Sequence, residues 1–219
     1  MRLKGPGHPF VSRLRRKIAW EYIRWFLYRL PAVRGWFFAV FYQLVFPNFH
    51  LGARAKIWGR FQVTMYDSLH SSITIGNNLH MVSDPSRAGI TLYSECKFTT
   101  LENGAITLGD HIGLNGVAIT SRKHIEIGDN TIIGPNTIIV DSDFHVQWPP
   151  DGRYGPLPPE ADQAVKIGRN VWVSMNVTIL KGVEIGDNSI IGAGSVVTSS
   201  IPANVIAAGN PAKVIRALG

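Results

Sequence analysis

Residues Val165–Ile201 read VKIGRN VWVSMN VTILKG VEIGDN SIIGAG SVVTSS I, and this stretch decides the fold. An apolar anchor falls at Ile167, Val173, Ile179, Ile185, Ile191 and Val197 without a slip. Four residues after each anchor stands a second apolar or small residue: Val171, Val177, Val183, Ser189, Ser195 and Ile201. A period of six is neither the 3.6 of a helix nor the simple alternation of a half-buried strand. It is the period of a solenoid with one short strand and one tight turn per repeat. Gly and Asn between the anchors, as in Gly168-Arg169-Asn170 and Gly186-Asp187-Asn188, suit turns that need positive φ. One repeat cannot bury its own anchor. Stacked coils bury all of them as internal ladders, and their parallel strands cover one another's edges.

The same phase runs upstream through Ile127-Gly128, Ile133-Gly134 and Ile139, with Thr131 and Thr137 at the fourth step. Leu108-Gly109 and Leu114-Asn115 precede these, and Ile75-Gly76 is a weaker outlier. Short strand-like runs such as Phe61–Thr64 and Ile73–Ile75 mark residues 51–107 as the first, less regular coils. The expectation is an all-β solenoid over 51–219 with an N-terminal α-helical segment over 1–50.

The chain has 219 residues, enough for one domain and an appendage. Its single cysteine, Cys96, allows no internal disulfide and has no motif around it, which fits a reducing setting and a buried apolar role. The net charge of +7 is localised. Residues 1–34 carry nine Lys/Arg against one acid, Glu21, while the remaining 185 residues carry 13 basic and 14 acidic side chains. A nearly neutral body excludes nucleic acid bound along the solenoid. A basic end points to a local anionic partner, and a membrane surface is the obvious one.

From Phe10 to Leu30 the pattern is helical, with Leu14, Ile18, Tyr22, Trp25 and Phe26 on one broad face, and Pro31 ends or bends the element. Trp36–Phe46 follows, an apolar run closed by Pro47. It is too short to span a bilayer, which needs about 20 residues in a helix. Basic residues mixed with Trp and Tyr are an interfacial signature. Residues 10–46 are therefore expected to lie on an anionic membrane surface as a helical hairpin. The competing expectation is that the same aromatics cap the solenoid or join subunits.

The ladder breaks once, at residues 146–164, where five prolines (149, 150, 156, 158 and 159) exclude a regular strand. A loop this long inside a strict repeat is more often functional than idle. Asp141-Ser142-Asp143-Phe144-His145 stands immediately before it. An imidazole at the lip of an ejected loop is the outstanding titratable group of the chain. Asp143 and Asp141 share its strand parity. Either one orients the ring, or both simply bond the turn.

These features together, with Val171-Trp172-Val173 at the loop's return, Ile191–Val197, and Gly209-Asn210-Pro211-Ala212-Lys213-Val214-Ile215-Arg216 in the tail 202–219, resemble the hexapeptide-repeat acyltransferases. The sugar and polysaccharide O-acetyltransferase branch is the most similar. The resemblance is strong over 101–219, weaker over 51–100, and absent from 1–50. It implies a left-handed parallel β-helix, a homotrimer with active sites between neighbouring subunits, and acetyl-CoA as donor. It makes His145 the general base, with Asp143 beside it and Asn115 as an acceptor-binding residue or a plain turn asparagine. Trp172, Met175 (through its backbone amide), Ala193, Thr198, Ser199, Lys213 and Arg216 match positions that meet the CoA donor. Ser174 and Ser199 depart from the family's usual Gly and Lys. The histidines are too widely spaced for a zinc set, so no metal is expected. The implied activity is acetyl transfer to a hydroxyl of a sugar or of a lipid-linked or cell-envelope glycan. The implied location is cytoplasmic, peripheral on the inner face of the membrane. The alternatives are N-acyl or longer-chain transfer to an amino sugar, or a non-catalytic membrane-bound scaffold.

Overall fold

The computed structural model describes residues 30–219. Its repeats form a left-handed parallel β-helix with three strands to each coil and one sheet on each side of a triangle. The first sheet begins with Phe49–Leu51 and ends with Glu184–Ile185; the third begins with Gln62–Met65 and ends with Val196–Val197. The second begins with Lys56–Trp58 and closes with the antiparallel pair Val205–Gly209 and Ala212–Ala217. A left-handed winding departs from the usual right-handed rule for parallel crossovers.

The register shows why the period is six. Ile167 pairs with Ile185, Val173 with Ile191 and Ile179 with Val197. Each partner lies three hexads on, one hexad per side of the triangle. All six anchors are 0–1% exposed. The small residues at the fourth step lie inside the corners. Thr131, Thr137, Ser189 and Ser195 are fully buried, and each hydroxyl donates to a backbone carbonyl, at 2.9, 3.1, 2.7 and 2.6 Å. A corner thus gains a small side chain without leaving a polar group unpaired.

Larger offsets mark where chain is expelled. Ile73 pairs with Ile106, the surplus leaving as the strand-free stretch between Val82 and Lys97. Ile127 pairs with Ile167, and the surplus there is the proline-rich loop, which holds only the short 3-10 turns Pro150–Gly152 and Pro159–Ala161.

The expected helix over Phe10–Leu30 lies outside the described residues but for Leu30. Residues 30–45 are helical. Pro31 sits in the first described turn, and its carbonyl accepts from the Gly59 amide at 2.8 Å. Pro47, which has no amide to donate, follows the last turn. One face caps the first coil: Ala39 is buried, Phe38, Tyr42 and Phe46 pack on the core, and the Tyr42 hydroxyl donates to the Phe61 carbonyl at 3.1 Å. The opposite face leaves Val33, Trp36, Phe37, Phe41 and Leu44 exposed.

Gly35 sets how close the helix lies. A Cβ there would meet the Ile57 carbonyl oxygen at 2.5 Å. Alanine gains about 1 kcal/mol in helix propensity, but this overlap with backbone costs about 1–3 kcal/mol. Gly35→Ala is therefore expected to lower stability on balance in chemical denaturation, against an unchanged Arg34→Ala control; a gain in stability would contradict the close packing.

Candidate active site

The strand Ile138–Val140 leaves the third sheet into Asp141, which is fully buried. Its carboxylate accepts from the Ser121 hydroxyl at 2.6 Å and from the amides of Arg122 and Lys123 at 2.8 and 3.0 Å. Its carbonyl accepts from the Gln163 amide at 3.0 Å, which brings the two ends of the loop together. Asp141 therefore pins the exit of the loop and makes no hydrogen bond to His145 among the described residues. Of the two acids read from the sequence, this one serves the turn.

Phe144 then adopts φ 61°, which for a bulky residue is strained backbone, and its amide donates to the Ser142 hydroxyl. His145 emerges exposed from this kink. Its Nδ1 lies 3.2 Å from the Arg153 carbonyl oxygen, across the loop. A carbonyl only accepts, so Nδ1 carries the proton and the Nε2 lone pair is left free. The Tyr154 ring meets the imidazole edge to face at 6.1 Å. The group that orients the ring is thus a backbone carbonyl of the loop itself.

Asp143 is engaged elsewhere. Lys181 Nζ donates to its carboxylate at 2.5 Å, and the Gln147 side-chain amide donates to the same oxygen. Lys181 also reaches the Ala161 carbonyl at 3.1 Å, so one ammonium ties the start of the loop to its end. A second clamp lies at Arg122, whose Nε donates to Asp162 at 3.0 Å and whose guanidinium pairs with Glu102 at 2.7 Å. Asp162 is buried, and the Arg122 side chain is partly shielded, 11% exposed. His145 and Asp143 line a groove of ≈ 730 Å³ with Arg153 and Tyr154, and a smaller one of ≈ 310 Å³ with Trp148 and Lys181.

The other residues singled out in the sequence lie in the second sheet or at the two corners that flank the third. Asn115 ends the strand Gly113–Asn115 and lines a separate groove with His80 and His111. Trp172, half exposed, lies in the second sheet. Met175 and Ala193 turn the corner from the second sheet to the third, the corner that Asn115 also occupies. The Met175 amide donates no hydrogen bond among the described residues. Thr198 and Ser199 lie at the other corner, between the third sheet and the first, as do His145 and Lys181. Lys213 and Arg216 are exposed on the last strand of the second sheet. Cys96 is fully buried, and burial pushes its thiol up to about 11, which removes it as a nucleophile. Among the described residues no group of three or more His, Cys, Asp or Glu is placed to hold a metal ion.

The sequence reading missed Arg122, Lys181, Tyr154 and the Arg153 carbonyl. No periodic signal marked them: Lys181 stands two residues after its anchor, a position that Arg169, Met175, Asp187, Ala193 and Ser199 fill in the other repeats.

Comparison with known proteins agrees with this architecture. Residues 164–199 match the bacterial transferase hexapeptide, six repeats. The galactoside O-acetyltransferase of Escherichia coli K12 is 42% identical over 113 residues, 48% of this chain and 53% of that protein. The putative lipopolysaccharide biosynthesis O-acetyl transferase WbbJ of the same strain is 38% identical over 119 residues, 52% of this chain and 61% of that protein. The chain thus spans a little over half the length of these curated relatives. Among solved structures, AntD, an N-acyltransferase from Bacillus cereus in complex with dTDP and 3-hydroxybutyryl-CoA, superposes with a TM-score of 0.57 at 20% identity, over 81% of this chain and 87% of that one, and shares the fold. Residues 164–199 thus carry bacterial transferase hexapeptide repeats, and about half of the chain is similar to O-acetyltransferases.

Removing Arg122 would leave Asp162 as a buried unpaired charge, at a cost of about 3–5 kcal/mol. Arg122→Met is expected to free the loop, so that limited proteolysis cuts within 146–164 many-fold faster while the circular dichroism of the solenoid is retained. Unchanged cleavage would show that the loop is held by other contacts.

Proposed function

We propose that the chain is an O-acetyltransferase that moves an acetyl group from acetyl-CoA to a hydroxyl of a sugar or cell-envelope glycan. The observation that carries this reading is His145, with Nδ1 tied to the Arg153 carbonyl and Nε2 free at the mouth of an open groove. In this reading Nε2 takes the proton of the acceptor hydroxyl as its oxygen attacks the thioester carbonyl. The tetrahedral oxyanion accepts from the unengaged Met175 amide. Its collapse expels the CoA thiolate, which takes the proton from the imidazolium and leaves as the free thiol. Ester and thiol are the only products, and no other reactant is needed. The O-acetyltransferase names of the relatives at 38–42% identity support acetyl as the group moved and a hydroxyl as its acceptor.

The reading requires more than one copy of the chain. In one protomer, His145 and Asn115 occupy opposite edges of the third sheet and line separate grooves. A homotrimer in which each copy sets its His145 edge against the Asn115, Trp172 and Met175 edge of a neighbour joins the two halves, with Lys213 and Arg216 as cations for the CoA phosphates. We also place the enzyme peripherally on the inner face of the membrane through residues 10–46. Among the described residues no helix is long and apolar enough to cross a bilayer, and the exposed apolar side of 30–45 suits contact with lipid.

His145→Ala is expected to cut turnover by about 10²–10⁴ with CoA affinity retained, read by thiol release and calorimetry. Co-assembly of His145→Ala chains with Asn115→Ala chains is expected to restore about a quarter of wild-type activity, because a site takes one edge from each of two copies. Full activity in His145→Ala would remove the imidazole from the chemistry. No recovery in the mixture would place both halves in one protomer.

A further inference from the structure

The flank of the helix carries a cleft that the proposed reaction does not use. Ala32, Trp36, Ala39, Val40 and Gln43 follow one another at helical spacing, between the face that caps the coil and the face left exposed. Against this stripe lie the end of the first strand, the turn after it and the second strand, Leu51 to Trp58, and the space between has a volume of ≈ 410 Å³. Two cations stand in its wall, Arg54 and Lys56, both exposed. Neither forms a salt bridge among the described residues. Arg54 feels the charge of Asp110, but that carboxylate is already taken by the Asn77 amide at 2.6 Å and the Asn77 side chain at 3.2 Å. Arg54 also holds a left-handed backbone, φ 59°, an uncommon state for a long side chain.

A cleft with apolar walls and two unmatched cations calls for an occupant with an apolar body and an anionic head. The exposed face beside it decides which. Trp36, Phe37, Phe41 and Leu44 are 45–81% exposed on one side of one helix. A helix with one apolar face on a core and a second turned outward suits contact with lipid, and the cluster of nine Lys/Arg within residues 1–34 repels cationic partners and attracts an anionic surface. We propose that the cleft binds the phosphate headgroup of an acidic membrane phospholipid, with Arg54 and Lys56 on the phosphate and the acyl chains running along the Trp36 and Val40 flank. This rests on the peripheral membrane reading above and deepens it. The helix lies in the interfacial plane, its exposed side in the acyl boundary and the cleft at headgroup depth. The protein thereby selects acidic lipid rather than any bilayer.

The test separates the cleft from the membrane contact. Full-length protein is titrated by calorimetry with dihexanoyl phosphatidic acid below its micelle concentration, then with dihexanoyl phosphatidylcholine and with inorganic phosphate. Vesicles of phosphatidylcholine, with and without phosphatidic acid, are sedimented in parallel. Wild-type protein is expected to bind the short acidic lipid at least tenfold more tightly than either control. Arg54→Gln/Lys56→Gln is expected to lose that preference while keeping CoA affinity and thermal midpoint. Phe37→Ser/Phe41→Ser/Leu44→Ser is expected to keep short-lipid binding and lose the vesicles. Equal binding of phosphatidylcholine, competition by inorganic phosphate at the same concentration, or an unaltered acid preference in the double variant overturns the cleft while the membrane reading stands. Failure of wild-type protein to sediment with any vesicle, or dissociation of the oligomer by the triple variant, overturns both, the latter by making the face a contact between subunits.

Discussion

Each coil must return to register above the one before it, and the rest of the molecule follows from that constraint. The coils meet through parallel ladders with a fixed strand spacing of about 4.8 Å, and a slip of one residue would turn every inward side chain outward. The chain meets the demand at its corners. Asn130, Asn136, Asn170, Asn176, Asn188 and Asn204 all take φ between 55 and 61°. Asparagine enters this left-handed region more cheaply than other residues with a Cβ. Asn170 donates to Asn188 at 3.0 Å, and Asn188 to Asn204 at 2.8 Å, so one corner is stitched along the stack. At the same corner Asp187 accepts from the Arg169 amide at 2.8 Å, and that bond, ahead of the nearby Arg169 charge, holds its carboxyl below the ordinary value. The bent backbone that makes a three-sided coil is therefore paired rather than left to water.

A ladder with a fixed return length cannot absorb surplus residues. It expels them, and the expelled segment inherits its position from the core. This accounts for the unusual investment in holding the loop before Val165. Asp141 gives its carboxylate to three donors, the buried Asp162 pairs with a partly shielded Arg122, and Lys181 joins Asp143 to Ala161. Buried ion pairs add little net stability because desolvation offsets their attraction. What they fix is geometry. With both ends pinned, the Arg153 carbonyl is held opposite His145, and the tautomer of the imidazole follows from a backbone atom whose place the core has already determined.

This explains which parts of the molecule were legible in the sequence. The anchors from Ile167 to Val197 were readable because each answers to a neighbour at a constant interval, and periodicity records such constraints directly. His145 was readable because it sits where the period fails. The clamp was not. Arg122 and Asp162 are 40 residues apart, in a coil and in the loop, and no interval relates a pinning group to what it pins. The partner of His145 was hidden for a different reason: a carbonyl is common to all residues, so Arg153 carries no mark of its role. Parity made Asp143 and Asp141 look equivalent on a strand. The strand in fact ends at Val140, so its alternation does not extend to these residues: Asp141 is buried and Asp143 meets Lys181.

The open end of a solenoid poses the last problem, because the first coil has no predecessor to cover its interior. The helix over 30–45 solves it with Gly35, Ala39 and Tyr42 set on Ile57 and Phe61. A helix used only as a lid would turn polar residues outward. This one has only Arg34, Tyr42 and Gln43 as polar side chains, and Tyr42 is spent on the inner face. The outer face is thus mostly apolar by composition, with Arg34 and Gln43 as its exposed polar side chains. Because the two faces share no residue, substitutions that alter what the outer face meets leave the cap and the register of the coils untouched. The repeat can therefore keep one strict interior while its end adapts to a surface.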